Sequence, residues 1–248
     1  MEPVFRTLEI ASSMALRAAG TEITYQGLEN IPSHGGAVVA INHTSYIDFM
    51  PAALGTHRRN RRIRFMIKSE MQDVRIVNFL ISRTGTIPVN RQAGADAYLE
   101  AVRRLRAGEL VGVYPEATIS RAFVLKDFKS GAARMALEAQ VPIIPCIVWG
   151  AHRVWTKDHR KQLGRNKFPF VVRYGTPLPP AGTPVELDAA LRQRMSAILH
   201  EVQLAYSHPA GEWWVPESLG GGAPTLEQAK KLDEEELAER ARRAAERR

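Results

Sequence analysis

Short apolar runs and longer amphipathic segments alternate through most of the chain. The apolar runs of strand length are GAVVAIN, RIRFMIK, GTIPV, LVGVYPE, VPIIPCIVW and FPFVVRYG. Helical periodicity covers residues 44–54, 70–82, 92–107, 130–139 and 186–207. This alternation predicts an α/β fold, in which a central, mostly parallel β-sheet is flanked by helices.

The first 20 residues have the pattern of an amphipathic helix. Apolar side chains such as Phe5 and Leu16 fall on one side at helical spacing, and charged ones such as Arg6 and Glu9 fall on the other. Such a helix either packs on the rest of the protein or lies in a membrane interface. Both alternatives stay open at the level of sequence.

The last 40 residues differ in composition from the rest. Residues 209–225 are rich in glycine and proline and predict a connecting loop, in which Trp213 and Trp214 either pack inward or sit at lipid headgroups; packing is favoured. The following segment, beginning LEQAKKLDEEEL, has strong helix formers and dense charge, typical of an exposed helix. The predicted divisions are 1–20 amphipathic helix, 21–208 main domain, and 209–248 loop and charged helical tail.

The charge balance is basic, with 34 Lys and Arg against 26 Asp and Glu. Such an excess favours anionic partners, including nucleic acid, phosphorylated metabolites and acidic lipid. The stretch HRRNRRIR (57–64) is either a solvated loop or a surface that attracts anionic lipid or phosphate. Because no RNA-binding strand, finger or recognition-helix signature accompanies the charge, we do not expect a nucleic-acid partner.

Several common chemical and targeting motifs are missing from the sequence. It has no HExxH or CxxC pair, so no metal site is expected, and no GxSxG elbow that would make Ser45 a nucleophile. Its one cysteine, Cys146, lies in an apolar run typical of a core thiol. No run of 18 apolar residues predicts a membrane-spanning helix, and the charges spread over residues 1–20 are not typical of a signal peptide.

The segment AINHTSYIDFMP places a histidine and a carboxylate just after an apolar strand. His43 and Asp48 could meet if His43 lies in the turn before a helix and Asp48 lies in its first turn, with Thr44 or Ser45 as the N-cap. Asp48 would then accept from one imidazole nitrogen and leave the other as a base. The spacing alone is also compatible with a structural pair.

Two further polar stretches follow predicted strands. GTIPVNR ends at Arg91 beside a predicted helix start, which is either an anion site or a solvated arginine. YPEATIS places Glu116, Thr118 and Ser120 after another apolar run, where they could position a polar substrate or hold the loop. In α/β sheets, sites collect at the carboxyl ends of strands, so we expect these stretches to meet.

In this order and spacing, the motifs resemble those of the glycerolipid acyltransferase family, which includes 1-acylglycerol-3-phosphate and glycerol-3-phosphate acyltransferases. The first family motif, NHxxxxD, is matched by Asn42, His43 and Asp48. The others resemble GTIPVNR (85–91), YPEATIS (114–120) and VPIIP (141–145). FKSGAARMALEAQ, which contains Lys129, is also similar, and the resemblance spans roughly residues 25–180.

The resemblance implies an O-acyltransferase of phospholipid biosynthesis. It would move a fatty acyl group from acyl-CoA to a hydroxyl of 1-acylglycerol-3-phosphate or glycerol 3-phosphate, with His43 as general base and Asp48 orienting it. Acyl-CoA would be a co-substrate, with no cofactor or metal, and the expected location is peripheral, on an anionic membrane surface at the cytoplasmic face of the plasma membrane. The expected substrate-binding residues are Arg91, Glu116, Thr118, Ser120, Arg121 and Lys129.

The third motif departs from the family pattern FPEGTRS at two positions. Ala117 replaces a glycine, and Ile119 replaces an arginine that the family is expected to use on the acceptor phosphate. Arg91, Arg121 and Lys129 are the residues that could compensate. The departure keeps open an alternative, in which the same chemistry acts on another lysophospholipid or glycosylated phospholipid acceptor.

Overall fold

The structure, a computed structural model, describes residues 3–73, 75–90 and 94–246 of the chain. The α-helices in these ranges are α1 (Pro3–Ala18), α2 (Phe49–His57), α3 (Arg75–Thr84), α4 (Gly94–Arg106), α5 (Gly131–Ala139), α6 (Pro184–Ala205) and α7 (Leu226–Ala245). The strands are β1 (Ile23–Gln26), β2 (Ala37–Ile41), β3 (Ile63–Lys68), β4 (Ile87–Val89), β5 (Leu110–Val113), β6 (Ile143–Trp149) and β7 (Phe170–Tyr174).

These strands form one sheet in the order β1-β7-β6-β2-β5-β3-β4. The pairs from β6 through β4 are parallel, whereas β7 runs antiparallel to β6 and pairs in parallel with β1. The mostly parallel α/β sheet predicted from the sequence is therefore confirmed. Because β2 lies between β5 and β6, and all three run the same way, the loops that follow them meet at one carboxyl edge.

The central strands are apolar along their whole length because helices cover both faces of the sheet. All five residues of β2 are buried, and they alternate between two cores. Val38 and Ala40 face the core that includes residues of α4, α5 and α6, while Val39 and Ile41 face the core that includes Ala52 of α2. The two-residue period of the strand thus divides one apolar run between two layers of helices.

Strand β1 is the element that the sequence did not reveal. Its four residues, ITYQ, alternate between half-buried and exposed positions, so they lack the continuous apolar run that marks the other strands. The strand lies at the end of the sheet, and within the described residues its one partner strand is β7. An edge strand needs less apolar surface than a central one, which explains why its signal is weak.

Helix α2 begins five residues later than predicted. The N-cap position is Asp48, so the prediction that Thr44 or Ser45 caps this helix is wrong. Residues 44–48 form turns instead of helix. The reason is that the Asp48 carboxylate accepts backbone N–H groups from the turn that precedes it, as described below.

Helix α1 packs on the domain, against α2 and α3. Its Phe5 and Leu16 are buried, and Glu9 accepts a hydrogen bond of 2.9 Å from Arg62. Ile10, however, is 53% exposed, so α1 keeps an apolar surface outside the core. In the described parts of the chain, no helix combines the length and the apolar character that crossing a membrane requires.

Most arginines of the 57–64 stretch make contacts within the protein. Arg61 donates to three backbone carbonyls of neighbouring loops, at 2.6–2.8 Å. Arg64 pairs with Glu109, and the Arg58 guanidinium lies over the ring of Tyr25. The alternative of a solvated basic loop is therefore wrong for Arg61 and Arg64, which are half-buried, whereas Arg58 remains exposed.

The segment between α6 and α7 belongs to the core. Trp214, Val215 and Ala223 are buried in it, and Trp213 stacks on His159 with 3.9 Å between ring centroids, which confirms the predicted packing of the tryptophan pair. Helix α7 follows as predicted and is mostly exposed. The domain divisions at residues 20 and 208 stay predictions.

Candidate active site

His43 and Asp48 meet at the carboxyl edge, directly after β2. Asp48 is buried, and its Oδ2 lies 3.2 Å from His43 Nδ1. The same oxygen accepts hydrogen bonds from the backbone N–H groups of Thr44 (2.8 Å) and Ser45 (2.7 Å). The carboxylate therefore holds both the turn and the imidazole.

These contacts determine which nitrogen of His43 is available. Burial raises the pKa of Asp48, while the hydrogen bond from His43 and the two backbone N–H groups act against that rise. Because Oδ2 of Asp48 faces only hydrogen-bond donors, the ionised carboxylate is the form that fits. It accepts from Nδ1–H of His43, so the lone pair of the imidazole is on Nε2. The His43 side chain is 19% exposed, and none of the described residues hydrogen-bonds Nε2.

The imidazole is also fixed from its face. Tyr114, the first residue after β5, stacks on His43 with ring centroids 4.0 Å apart and an interplanar angle of 22°. Burial raises the pKa of Tyr114 well above its usual value, so its hydroxyl stays neutral. Tyr114 lies within the YPEATIS motif, but no role was predicted for it; the signal in the sequence is an aromatic residue directly after an apolar strand.

Glu116 ties the β5 loop to the His43 turn. Its Oε1 accepts from the backbone N–H of His43 at 2.8 Å, and its Oε2 accepts from that of Lys126 at 3.0 Å. Burial raises the pKa of Glu116 to about 8, although both N–H groups act in the opposite direction. Since both oxygens face the backbone, Glu116 positions the site in this structure, and its role as a substrate contact stays a prediction.

Asn42 extends the pairing of β2 with β6 by means of its side chain. Its amide donates to the carbonyl of Val148 at 3.0 Å and accepts from the Val148 N–H at 2.7 Å. The two bonds replace a backbone pair at the point where the chain leaves the sheet. Asn42 was recognised as a motif residue, but its positioning role was missed.

The loop after β6 holds the His43 turn from the other side. Thr156 donates its hydroxyl to the Thr44 carbonyl at 2.7 Å, and Ser45 donates its hydroxyl to the Trp155 carbonyl at 2.6 Å. Ser45 is buried and committed to this bond, consistent with its dismissal as a nucleophile. His43 is thus positioned by segments from three adjacent strands.

A group of cations lies next to this turn, and we call Arg121, Lys126 and Lys157 the cationic cluster. Arg121, predicted as a substrate contact, is only 7% exposed. The Lys157 ammonium lies 3.1 Å from Thr118 Oγ1, so the structure brings the predicted Thr118 to the cluster. The two lysines lie outside the motifs and were not predicted.

The other predicted substrate contacts are not among the residues of the cationic cluster. Ser120 donates its N–H to the His43 carbonyl at 2.8 Å, and its buried hydroxyl oxygen has no hydrogen-bond partner in the described part of the chain. Lys129 is exposed in the loop just before α5, and Arg91 lies outside the described residues. Ile119 is buried, at 2% exposure, so an apolar side chain occupies the position of the family arginine.

A cleft of about 520 Å³ lies at the opposite end of the sheet. Its lining includes Gln26, Tyr174 and Arg194, beyond the carboxyl ends of β1 and β7. Because β7 runs antiparallel to β6, this cleft is remote from His43. The chemistry that the sequence suggests belongs to the His43 edge.

Comparisons with known proteins match the part of the chain that contains His43 and Asp48. A model of the acyltransferase family matches residues 22–149. The chain is 26% identical over 157 residues to a 1-acyl-sn-glycerol-3-phosphate acyltransferase of Borreliella burgdorferi, covering 62% of each chain. It is 27% identical over 123 residues to the Bacillus subtilis enzyme of that name, covering 49% of this chain and 60% of the other.

The fold is also similar to a solved structure. The 1-acyl-sn-glycerophosphate acyltransferase of Thermotoga maritima superposes with a TM-score of 0.69 at 23% identity, over 82% of this chain and 81% of that one. The chain matches about three fifths of the length of the two bacterial relatives above. The likeness therefore establishes a shared domain and a shared fold.

Proposed function

Because the chain belongs to the acyltransferase family, we propose that it moves a fatty acyl group from acyl-CoA to a hydroxyl of 1-acylglycerol-3-phosphate or glycerol 3-phosphate. The names of the relatives support the reaction class and this kind of acceptor. The observation that carries the proposal is the pairing of His43 Nδ1 with buried Asp48, which leaves Nε2 free.

In the proposed reaction, Nε2 of His43 takes the proton of the acceptor hydroxyl as its oxygen attacks the thioester carbonyl. Asp48 stabilises the imidazolium that forms. The tetrahedral intermediate then collapses, the carbon–sulfur bond breaks, and the proton on Nε2 passes to the departing CoA sulfur. A thioester is already reactive, so the base and the positioning of the acceptor suffice without an enzyme nucleophile.

Ile119 is buried where the family pattern has an arginine, so this position supplies no positive charge for an acceptor phosphate. This observation favours the second candidate, in which another lysophospholipid or glycosylated phospholipid accepts the acyl group. In that case the cationic cluster, and not position 119, provides the positive charge near the site.

The test is a panel of acceptors supplied with labelled acyl-CoA, with products identified by mass spectrometry. We expect acylated product from lysophosphatidate or glycerol 3-phosphate. Product from these two alone removes the alternative acceptor, whereas product only from a glycosylated or other lysophospholipid contradicts the first candidate. An absence of product with every acceptor contradicts the proposed activity.

We further propose that the protein works at the cytoplasmic face of the plasma membrane, bound at an anionic surface. Three observations support a lipid contact on the α1 side. Ile10 and Met14 are 53% and 63% exposed on α1, and Phe79 is 52% exposed on α3, which packs against α1. Arg83 lies over the Phe79 ring and adds positive charge beside this apolar surface.

A further inference from the structure

The cationic cluster is filled by side chains of α7. Arg121 donates to Asp233 and, at 2.9 Å, to Glu236, as well as to Asp158 of the loop after β6. Both lysines of the cluster also contact these α7 carboxylates, with Lys157 Nζ 2.7 Å from Glu236 Oε2. Two carboxylates on one face of a helix therefore occupy a site made of three cations.

Little else holds α7 against the domain. Among its described side chains, Ala229 is buried, and Asp233 and Glu236 are half-buried. Leu226 and Leu237 are 63% and 60% exposed, and only Leu232 (37% exposed) adds to the apolar contact of Ala229, so the described side chains of the helix bury little apolar surface. Because helices in proteins are stabilised mainly by packing an apolar face, the docking of α7 depends on its ion pairs.

The cluster borders the turn that carries His43. Arg121 follows Ser120, whose N–H donates to the His43 carbonyl. Lys157 follows Thr156, whose hydroxyl donates to the Thr44 carbonyl. An anion bound at the cluster would therefore lie beside the backbone turn that carries the reactive imidazole.

The charges indicate what kind of anion fits when α7 leaves. With α7 docked, Arg121 pairs with three carboxylates, and departure of the helix removes two of them and opens the cluster to another anion. With Asp158 as the carboxylate that stays, the three cations retain a net charge of about +2. A phosphate monoester carries close to two negative charges near pH 7, and its oxygens suit the fork of an arginine.

We propose that the cationic cluster binds a phosphate monoester of a substrate, and that Asp233 and Glu236 of α7 occupy this site until the phosphate displaces them. The inference rests on the proposed function for the identity of the ligand. Phosphate binding and docking of α7 are then mutually exclusive. The docked helix lowers the apparent affinity for phosphate by the fraction of time that the site is closed.

The first test removes the two α7 charges in the full-length protein. In the variant Asp233→Asn/Glu236→Gln, glycerol 3-phosphate should bind about tenfold more tightly by calorimetry, as expected if the site is open only about a tenth of the time. The matched control is Glu234→Gln/Glu235→Gln, which removes the same charge from exposed positions of the same helix and should leave affinity unchanged. CoA is titrated in the same way, because its 3′-phosphate is also a monoester. Binding of both ligands that is unchanged or weaker in the first variant overturns the proposal.

The second test uses the unmodified protein, so it does not depend on how the variants fold. Saturating glycerol 3-phosphate should speed hydrogen exchange of the α7 amides. CoA and dephospho-CoA, which lacks the 3′-phosphate, form the second arm. Release by glycerol 3-phosphate assigns the site to the acceptor, and release by CoA but not dephospho-CoA assigns it to the donor. No release by any of these ligands overturns the proposal.

Neither measurement requires turnover, so the two proposals can fail separately. In His43→Ala, phosphate should still release α7 even though acyl transfer is lost. Release of α7 in a protein without acyltransferase activity would contradict the proposed function and leave the phosphate site standing. Acyl transfer with no change in the hydrogen exchange of α7 would contradict the phosphate site and leave the proposed function standing.

Discussion

At the scale of single residues, the site depends on the free Nε2 of His43. Replacing His43 with alanine removes the proposed base and should lower turnover by at least about 10²-fold, since a positioned general base typically contributes 10²–10⁴-fold. The measurement is acyl transfer with labelled acyl-CoA at saturating acceptor. His200→Ala, at an exposed position of α6, is the control and should keep full activity. Retained turnover in His43→Ala would remove the base assignment.

Ala117 carries strain that its family counterpart would avoid. Its φ is +57°, in the left-handed region, where a glycine has no Cβ to clash. Ala117→Gly should therefore stabilise the protein by about 0.5–1 kcal/mol, after allowing for the greater freedom of glycine in the unfolded chain. Thermal unfolding should show a rise of about 2–4 °C per kcal/mol.

An Ala→Gly replacement that should lower stability serves as the control for Ala117→Gly. Ala189 is exposed inside α6, where the same replacement should destabilise by about 1 kcal/mol. If both replacements lower the midpoint, the left-handed residue is not the source of strain.

At the scale of elements, α1 offers a test of membrane contact. Ile10→Glu/Met14→Glu should weaken binding to anionic vesicles by about 10²-fold or more, because each apolar side chain buried in lipid contributes about 1.5–3 kcal/mol. Vesicle sedimentation measures the change. Leu204→Glu, 66% exposed on α6, is the control and should bind as the parent does. Equal binding of all three proteins would exclude α1 as the contact.

How much the sequence revealed also differs from element to element. Long apolar runs located β2, β5 and β6 because central parallel strands are buried on both faces. The half-exposed ITYQ of β1 gave no such signal. The start of α2 was misplaced because Asp48 binds N–H groups of the preceding turn, a contact that local periodicity does not encode.

The site was predicted only as far as its motifs reach. His43, Asp48, Glu116 and Thr118 were found because they follow apolar strands at family spacing. Lys157 and the carboxylates of α7 were missed, since they come from segments without a motif and meet Arg121 only through the tertiary fold. Glu236 lies 115 residues after Arg121, a separation that no short pattern bridges.

At the scale of the whole molecule, His152 joins the sheet to the segment before α7. It is buried beside Trp149, and its Nε2 lies 3.1 Å from the Trp214 carbonyl, to which it donates. Burial lowers the pKa of His152 to about 3, against the opposing effect of that hydrogen bond. As pH falls, His152 is therefore protonated in the unfolded chain at a higher pH than in the folded protein. Stability is lost as pH falls from about 6.5 towards 3.

This linkage predicts a difference between the parent protein and His152→Gln, which keeps a donor for the Trp214 carbonyl. Below pH 6.5, the free energy of unfolding of the parent should fall relative to the variant, by up to about 1.4 kcal/mol per pH unit. Urea unfolding at pH 7, 6, 5 and 4 measures both curves. Glu116 has the opposite linkage but is common to both proteins, so it cancels in the comparison. If the free energy of unfolding changes equally with pH in both proteins, His152 is not the source of this pH dependence.

The hydrogen bonds that join the His43 turn to Trp155, which accepts from Ser45, and to Thr156, which donates to Thr44, have a practical consequence for protein engineering. The stretch that matches the family ends at Trp149, before either partner. A chimera in which residues 22–149 are transferred into a relative would contain His43 but would lack its hydrogen-bond partners Trp155 and Thr156. The shortest transferred segment that keeps these contacts to the His43 turn therefore extends through residue 156.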